Sequence, residues 1–111
     1  MKNFLAYQAA LEATRRLRVP LEQIARRDHD LEKQMRRAMS STVLNLAEGN
    51  RRRGQDRLHI FRIAAGSAAE VQAGLALAEA WAYLGAATAA PPAQSLDEVL
   101  RMLWRLTERS H

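Results

Sequence analysis

The sequence contains no cysteine. That excludes a disulfide framework, a thiolate zinc site and a cysteine nucleophile together. Long apolar runs are also missing. The longest uncharged stretch, Ala80 to Leu96, contains Gly85, Pro91 and Pro92 and is too short and broken to span a bilayer. Near the N-terminus, Gln8 and Glu12 interrupt the apolar residues before a signal-peptide core can form, so a cytoplasmic protein is expected. Proline is confined to positions 20, 91 and 92. No run alternates with the period of two that a half-buried strand needs.

Enzyme signatures are equally scarce. There is no G-x-S-x-G, no H-E-x-x-H and no glycine-rich phosphate loop. His29 lies in a polar run between Asp28 and Asp30, His59 opens a helix beside Ile60, and His111 is the last residue. None offers the hydroxyl, base and orienting group of nucleophilic catalysis. Glu108 and His111 match E-x-x-H, but a di-iron bundle needs two such pairs and two further inward glutamates, and no second pair occurs. No enzymatic activity, metal or cofactor is expected.

What is present is a chain of 111 residues, 48% hydrophobic and 26% charged. That composition fits one globular domain with a real core. Alanine, leucine and arginine dominate, all strong helix formers. The predicted fold class is all-α, an up-down-up-down antiparallel four-helix bundle over residues 1–111. Helix one is expected over Asn3–Arg18, with Phe4, Tyr7, Leu11 and Thr14 beside a second stripe of Leu5, Ala9, Ala13 and Leu17; Pro20 ends it or opens a short further helix over 20–29. Helix two is expected over Asp30–Glu48, capped by Asp30 and stopped by a left-handed Gly49. Its core face is Leu31, Met35, Ala38, Thr42 and Leu46.

Helix three is expected over Asp56–Leu84, roughly 43 Å long at 1.5 Å per residue, closed by Gly85. Residues 86–94 read as a loop. Helix four follows over Leu96–Arg109, opened by a Ser95–Glu98 capping box, with Leu96, Val99, Leu100, Leu103 and Leu106 buried.

Helix three carries two apolar faces. One is Phe61, Ala64, Ala65, Ala68, Val71, Leu75, Ala78 and Ala82. The other is Ile60, Ile63, Leu77, Trp81 and Leu84. A bundle helix needs one such stripe, so the second is assigned to a homo-oligomer interface. Gly66 sits mid-helix, where glycine costs about 1 kcal/mol against alanine, and close approach of a neighbouring helix would offset that. Ser67 is expected to bond back to its own helix, and Glu70 to pair with Arg36 or Arg37 on helix two. Asn45, Glu48 and Gly49 read as a structural cluster at the end of helix two, with Glu48 on an arginine.

The net charge is +5, and only Lys2 and Lys33 among the seventeen cations are lysine. The whole of that excess falls between Leu31 and Arg62. There Lys33, Arg36, Arg37, Arg51, Arg52, Arg53, Arg57 and Arg62 face Glu32, Glu48 and Asp56. Arginine forks suit phosphates and carboxylates, and a basic cluster binds phosphate backbones by counterion release without reading sequence. No aromatic interleaves the arginines from Arg36 to Arg57 in the sequence, so base stacking is not indicated.

Three motifs follow one another: Gln34-x-x-Arg37-Ala38-x-x-Ser41, Asn45-Leu46-Ala47-Glu48-Gly49-x-x-Arg52, and Phe61-x-x-Ala64-x-Gly66-Ser67-x-x-Glu70, with Leu77-Ala78 after them. In this order they resemble the four-helix bundle family named after proteins encoded in 23S rRNA intervening sequences. The likeness extends over essentially the whole chain and is densest over residues 34–78. It departs before Asp30, where the family often has Phe-Pro and this chain has Val19-Pro20. The resemblance implies a left-handed bundle assembling into a ring, typically a pentamer, with no established enzymatic activity. It also implies kinship with the accessory variability protein of diversity-generating retroelements, a basic pentameric barrel that binds nucleic acid and contacts a reverse transcriptase. Carried onto this chain, the basic candidates are Arg36, Arg37, Arg51, Arg52, Arg53 and Arg57. Asn45, Glu48, Gly49, Gly66, Ser67 and Glu70 carry over as fold signatures. The expected function is nonspecific binding of an RNA or DNA backbone by a ring-forming bundle, as an accessory to an RNA- or retroelement-related process. The alternative is an oligomeric protein-interaction scaffold with an unknown protein partner.

Overall fold

A computed structural model of the chain describes residues 4–108. These residues form four helices and no strand: α1 (Leu5–Arg27), α2 (His29–Asn50), α3 (Gly54–Ala80) and α4 (Ala86–Glu108). Helices α1 and α3 each pack on both α2 and α4, so every helix has two neighbours around one core. The molecule measures 42 × 24 × 22 Å. Its long dimension follows α3, whose 27 residues span about 40 Å. No described helix is long and apolar enough to cross a membrane.

The core stripes have helical spacing. Helix α1 buries Ala10, Ala13, Leu17, Leu21 and Ile24, and α2 buries Leu31, Met35, Ala38, Met39, Thr42 and Leu46. Helix α3 contributes Phe61, Ala64, Ala68, Val71, Leu75 and Ala78, and α4 adds Ala89, Leu96, Val99 and Leu103. On α1 the buried stripe starts one position away from the expected ones: Ala6 is buried, Leu5 and Thr14 are exposed, and Phe4, Tyr7 and Leu11 are only partly covered.

The helix boundaries correct the sequence reading in several places. Helix α1 does not stop near Arg18 but runs through Pro20 to Arg27. Proline removes one amide from the ladder, yet Leu17, Leu21 and Ile24 lie on one stripe, and burying all three outweighs that loss. The break comes at Asp28, whose backbone is extended (φ −155°, ψ 88°). Asp28, not Asp30, caps α2: its Oδ1 accepts the Leu31 amide at 3.0 Å. Asp30 and Glu32 then sit in the first turn, where the helix dipole favours negative charge.

Gly49 is neither left-handed nor terminal. It lies inside α2, and a methyl group there would stand 2.6 Å from the Phe61 ring. Its glycine is required by the approach of α3, not by a helix stop.

Helix α3 begins and ends earlier than expected. The left-handed residue after it is Ala82 (φ 62°), not Gly85. The Tyr83 amide donates to the Ala78 carbonyl at 2.8 Å, which closes the helix end. Leu84 therefore lies beyond α3 and folds back into the core.

Helix α4 takes in the expected loop 86–94. Pro91 and Pro92 are internal, and Ser95 is buried within the helix, so the Ser95–Glu98 capping box does not exist. The helix instead extends back over Gly85, whose carbonyl accepts the amides of Thr88 and Ala89. Pro91 and Pro92, sixth and seventh in the helix, each remove an amide from the ladder, and the buried stripe of Ala89, Pro92, Leu96, Val99 and Leu103 offsets that loss.

Candidate nucleic-acid interface

The basic site is built on the three-residue connection between α2 and α3. Gly54 opens α3 at φ 60°, a left-handed conformation that turns the chain without a side-chain penalty. Arg52 bridges the two helix ends. Its Nε donates to Glu48 at 2.7 Å and its Nη1 to Asp56 at 2.5 Å. The hydrogen bond to Glu48, then that to Asp56, raises the Arg52 pKa above its ordinary value. Arg52 is thus committed to holding the connection. Arg51 and Arg53 flank it, are exposed, and have no ion-pair partner among the described residues.

The remaining candidates are spread out. The Arg57 guanidinium lies over the Phe61 ring, 5.1 Å from its centroid. Arg36 is bound to Glu32 at 2.6 Å. Arg37 is exposed and has no partner among the described residues. It stands about 21 Å along α2 from Arg51. The six arginines therefore divide into a loop group with two uncommitted side chains and a separate pair on α2.

The motif residues occupy the seam between α2 and α3. The Asn45 amide donates to the Ser41 carbonyl at 2.9 Å and to Ser41 Oγ at 3.1 Å. Ser41 Oγ and Ser67 Oγ share a hydrogen bond of 2.8 Å across the two helices. Ser67 thus bonds to α2 rather than back to its own helix, because Ser41 faces it at closer reach. Glu48 meets an arginine, Arg52, as expected. Glu70 does not pair with Arg36 or Arg37: Arg36 is taken by Glu32 within α2, and Glu70 is exposed with no partner among the described residues. Gly66 is exposed too, with nothing within 4 Å of a methyl placed on it. The close approach expected there occurs instead at Gly74, where a methyl would stand 2.5 Å from Met35 Cγ.

The second apolar face of α3 is divided in two. Ile60 and Leu84 are buried within the chain and cannot serve an interface. Ile63, Leu77 and Trp81 are 42%, 46% and 61% exposed. At the far end of α3, sequence-distant groups meet. Tyr83 stacks on Trp81, the Arg27 guanidinium lies over the Tyr83 ring at 5.6 Å, and the Tyr83 hydroxyl donates to Asp28 Oδ2 at 3.1 Å. Loss of hydration, followed by the bond to Asp28, raises the Tyr83 pKa. The left-handed Ala82 that brings Tyr83 back has no signal in the sequence.

No cluster of three or more His, Cys, Asp and Glu gathers in metal-binding geometry among the described residues. His29 is exposed and 3.6 Å from Glu32. His111 lies outside the described residues, so the Glu108–His111 pair has no geometry to report.

Residues 2–105 match the sequence profile of the 23S rRNA-intervening sequence proteins. The chain belongs to that family. The fold agrees with a crystal structure from Bacteroides thetaiotaomicron VPI-5482, a protein of unknown function from the S23 ribosomal protein family. The two share a TM-score of 0.82 at 17% identity, over 93% of this chain and 98% of the other. No functionally curated relative matches the chain. All three motifs meet at the α2–α3 seam, where Ser41 bonds both Asn45 and Ser67.

Proposed function

We propose that this member of the 23S rRNA-intervening sequence family is a non-enzymatic, cytoplasmic homo-oligomer that binds RNA or DNA backbones without sequence specificity. Its helices follow an up-down-up-down antiparallel course, and its copies close into a ring, with five the favoured number. The observation that carries the binding reading is the connection between α2 and α3. There Arg52 is held by two carboxylates while Arg51 and Arg53 are exposed without an ion-pair partner among the described residues. A rigid loop presenting two free guanidinium forks is suited to phosphate contact, since little side-chain partner exchange is needed. Repetition of the loop around an oligomer multiplies a weak individual contact into useful avidity. An accessory role in an RNA- or retroelement-related process follows from the family resemblance.

The competing reading, an oligomeric scaffold for a protein partner, is favoured by the exposed Ile63, Leu77, Trp81 and Trp104. Salt separates the two. Each phosphate contact contributes about 0.9 to the slope of log affinity against log salt on duplex nucleic acid. Labelled single- and double-stranded RNA and DNA are titrated with native protein and with an Arg51→Ala/Arg53→Ala variant, with assembly mass followed by light scattering. Loss of both contacts lowers the slope by about 1.8 per engaged protomer. No binding at low salt by an intact oligomer refutes the nucleic-acid reading.

A further inference from the structure

We propose that the groove between α1 and α2 receives the exposed face of α3 from a second copy of this chain. The inference rests on the homo-oligomer reading above and names the two surfaces that meet. The groove has a volume of about 290 Å³ and an apolar floor that includes Leu17, Met39 and Val43. Leu44 stands at its edge, 66% exposed although it is a leucine. Arg18 and Arg36 are the charged residues lining it, and no carboxylate does.

The face of α3 has the matching character. Ile63, Gly66, Glu70, Ala73 and Leu77 follow at spacings of three, four, three and four, and all are exposed. That is the spacing with which a helix lays one seam into a groove. Ile63 and Leu77 are large apolar residues near its two ends, with small Gly66 and Ala73 between them, so a neighbouring backbone can approach closely. Glu70, at the centre of the seam, has no partner among the described residues. A lone carboxylate on an otherwise apolar seam complements Arg18, the uncommitted cation of the groove, Arg36 being already bound to Glu32. Close approach at the seam also accounts for Gly66, where an added methyl meets nothing within 4 Å among the described residues.

The two surfaces belong to different helices, so the contact is heterologous. Each copy offers one groove and one seam, and such contacts propagate until they close into a ring or extend as a filament.

The absence of cysteine makes the test direct. Leu44→Cys marks the groove and Leu77→Cys marks the seam. Both positions are exposed, so neither change disturbs the core. After treatment with a short bis-maleimide, the double variant should give a ladder of covalent oligomers up to the assembly size. A mixture of the two single variants should give covalent dimers, and each single variant alone should stay as single chains. Cross-linked dimers of Leu77→Cys alone mean that like faces meet, which overturns the proposal. So does an uncross-linked double variant whose light-scattering mass is that of an oligomer; in that case the oligomer reading survives. A monomer mass for native protein refutes both. Independently, Glu70→Arg should raise the concentration for half-assembly about tenfold or more, and Arg18→Glu in the same chain should restore assembly. Unchanged assembly of Glu70→Arg removes the charge pairing from the interface.

Discussion

Gly66 and Gly74 lie on the same helix, eight residues apart, in opposite surroundings. Replacing a helical glycine by alanine gains about 1 kcal/mol through backbone entropy. At Gly66 nothing among the described residues stands within 4 Å of the new methyl, so the chain should realise that gain in full. At Gly74 the methyl would stand 2.5 Å from Met35 Cγ and 2.8 Å from its sulfur. Met35 is 2% exposed and packed among core side chains, so it has no free space to move into. Overpacking of this kind costs about 1–3 kcal/mol. Both variants share the propensity gain, so the difference between them isolates the clash. Gly74→Ala should be less stable than Gly66→Ala by about 1–3 kcal/mol, or about 4–12 °C in Tm for a domain of this size. Urea unfolding followed by circular dichroism, at low protein concentration, measures the difference. Met35→Ala should cost less in the Gly74→Ala background than alone, with a coupling of about 0.5–3 kcal/mol. Equal stability of the two glycine variants, or a cycle without coupling, would refute the close contact of α2 with α3.

Asp28→Ala should destabilise the chain by about 0.5–2 kcal/mol through loss of the α2 cap, measured by thermal unfolding, whereas Asp30→Ala should cost less because Asp30 caps nothing. Tyr83 should ionise above the ordinary tyrosine value of about 10, because its phenol is partly desolvated and donates to Asp28. A raised folded-state pKa means that this contribution to stability is fully present below pH ~10 and is lost as pH rises through the folded value. Asp28→Ala should lower the Tyr83 value in the phenolate absorbance titration, and an unchanged value would contradict the Tyr83–Asp28 bond. On the binding side, Arg52→Ala should loosen the loop but lower the salt slope less than Arg51→Ala/Arg53→Ala, because Arg52 is already paired.

Much of the fold was legible because the core stripes recur at spacings of three and four. The α2 face read from the sequence, Leu31 to Leu46, is the one the structure buries, and so is the α3 face from Phe61 to Ala78, except that Ala65 is half-buried and the expected Ala82 is exposed beyond the helix. Helix ends were less legible. Pro20, Pro91 and Pro92 read locally as boundaries, yet each lies inside a helix whose buried stripe continues past it. Gly49 reads locally as a stop, but its role is set by Phe61, twelve residues away on another helix. The arginine-rich segment was visible as composition. Which arginines are free was not, because Arg36 and Arg52 are neutralised by carboxylates whose geometry depends on helix phase and on the turn into α3.

By itself, then, the sequence determined the helical class, the faces of the central helices, the surplus of arginine and the order of the family motifs. These follow from local propensity and from periodicity along one helix, both properties of neighbouring residues. Only the tertiary structure decided which glycines admit a neighbouring helix and which half of the second α3 stripe is buried. It also decided that Ser67 reaches Ser41, that Tyr83 reaches Asp28, and that Arg51 and Arg53 have no ion-pair partner among the described residues beside a committed Arg52. Each of those outcomes depends on the distance between segments remote in the chain, and packing of the core sets that distance.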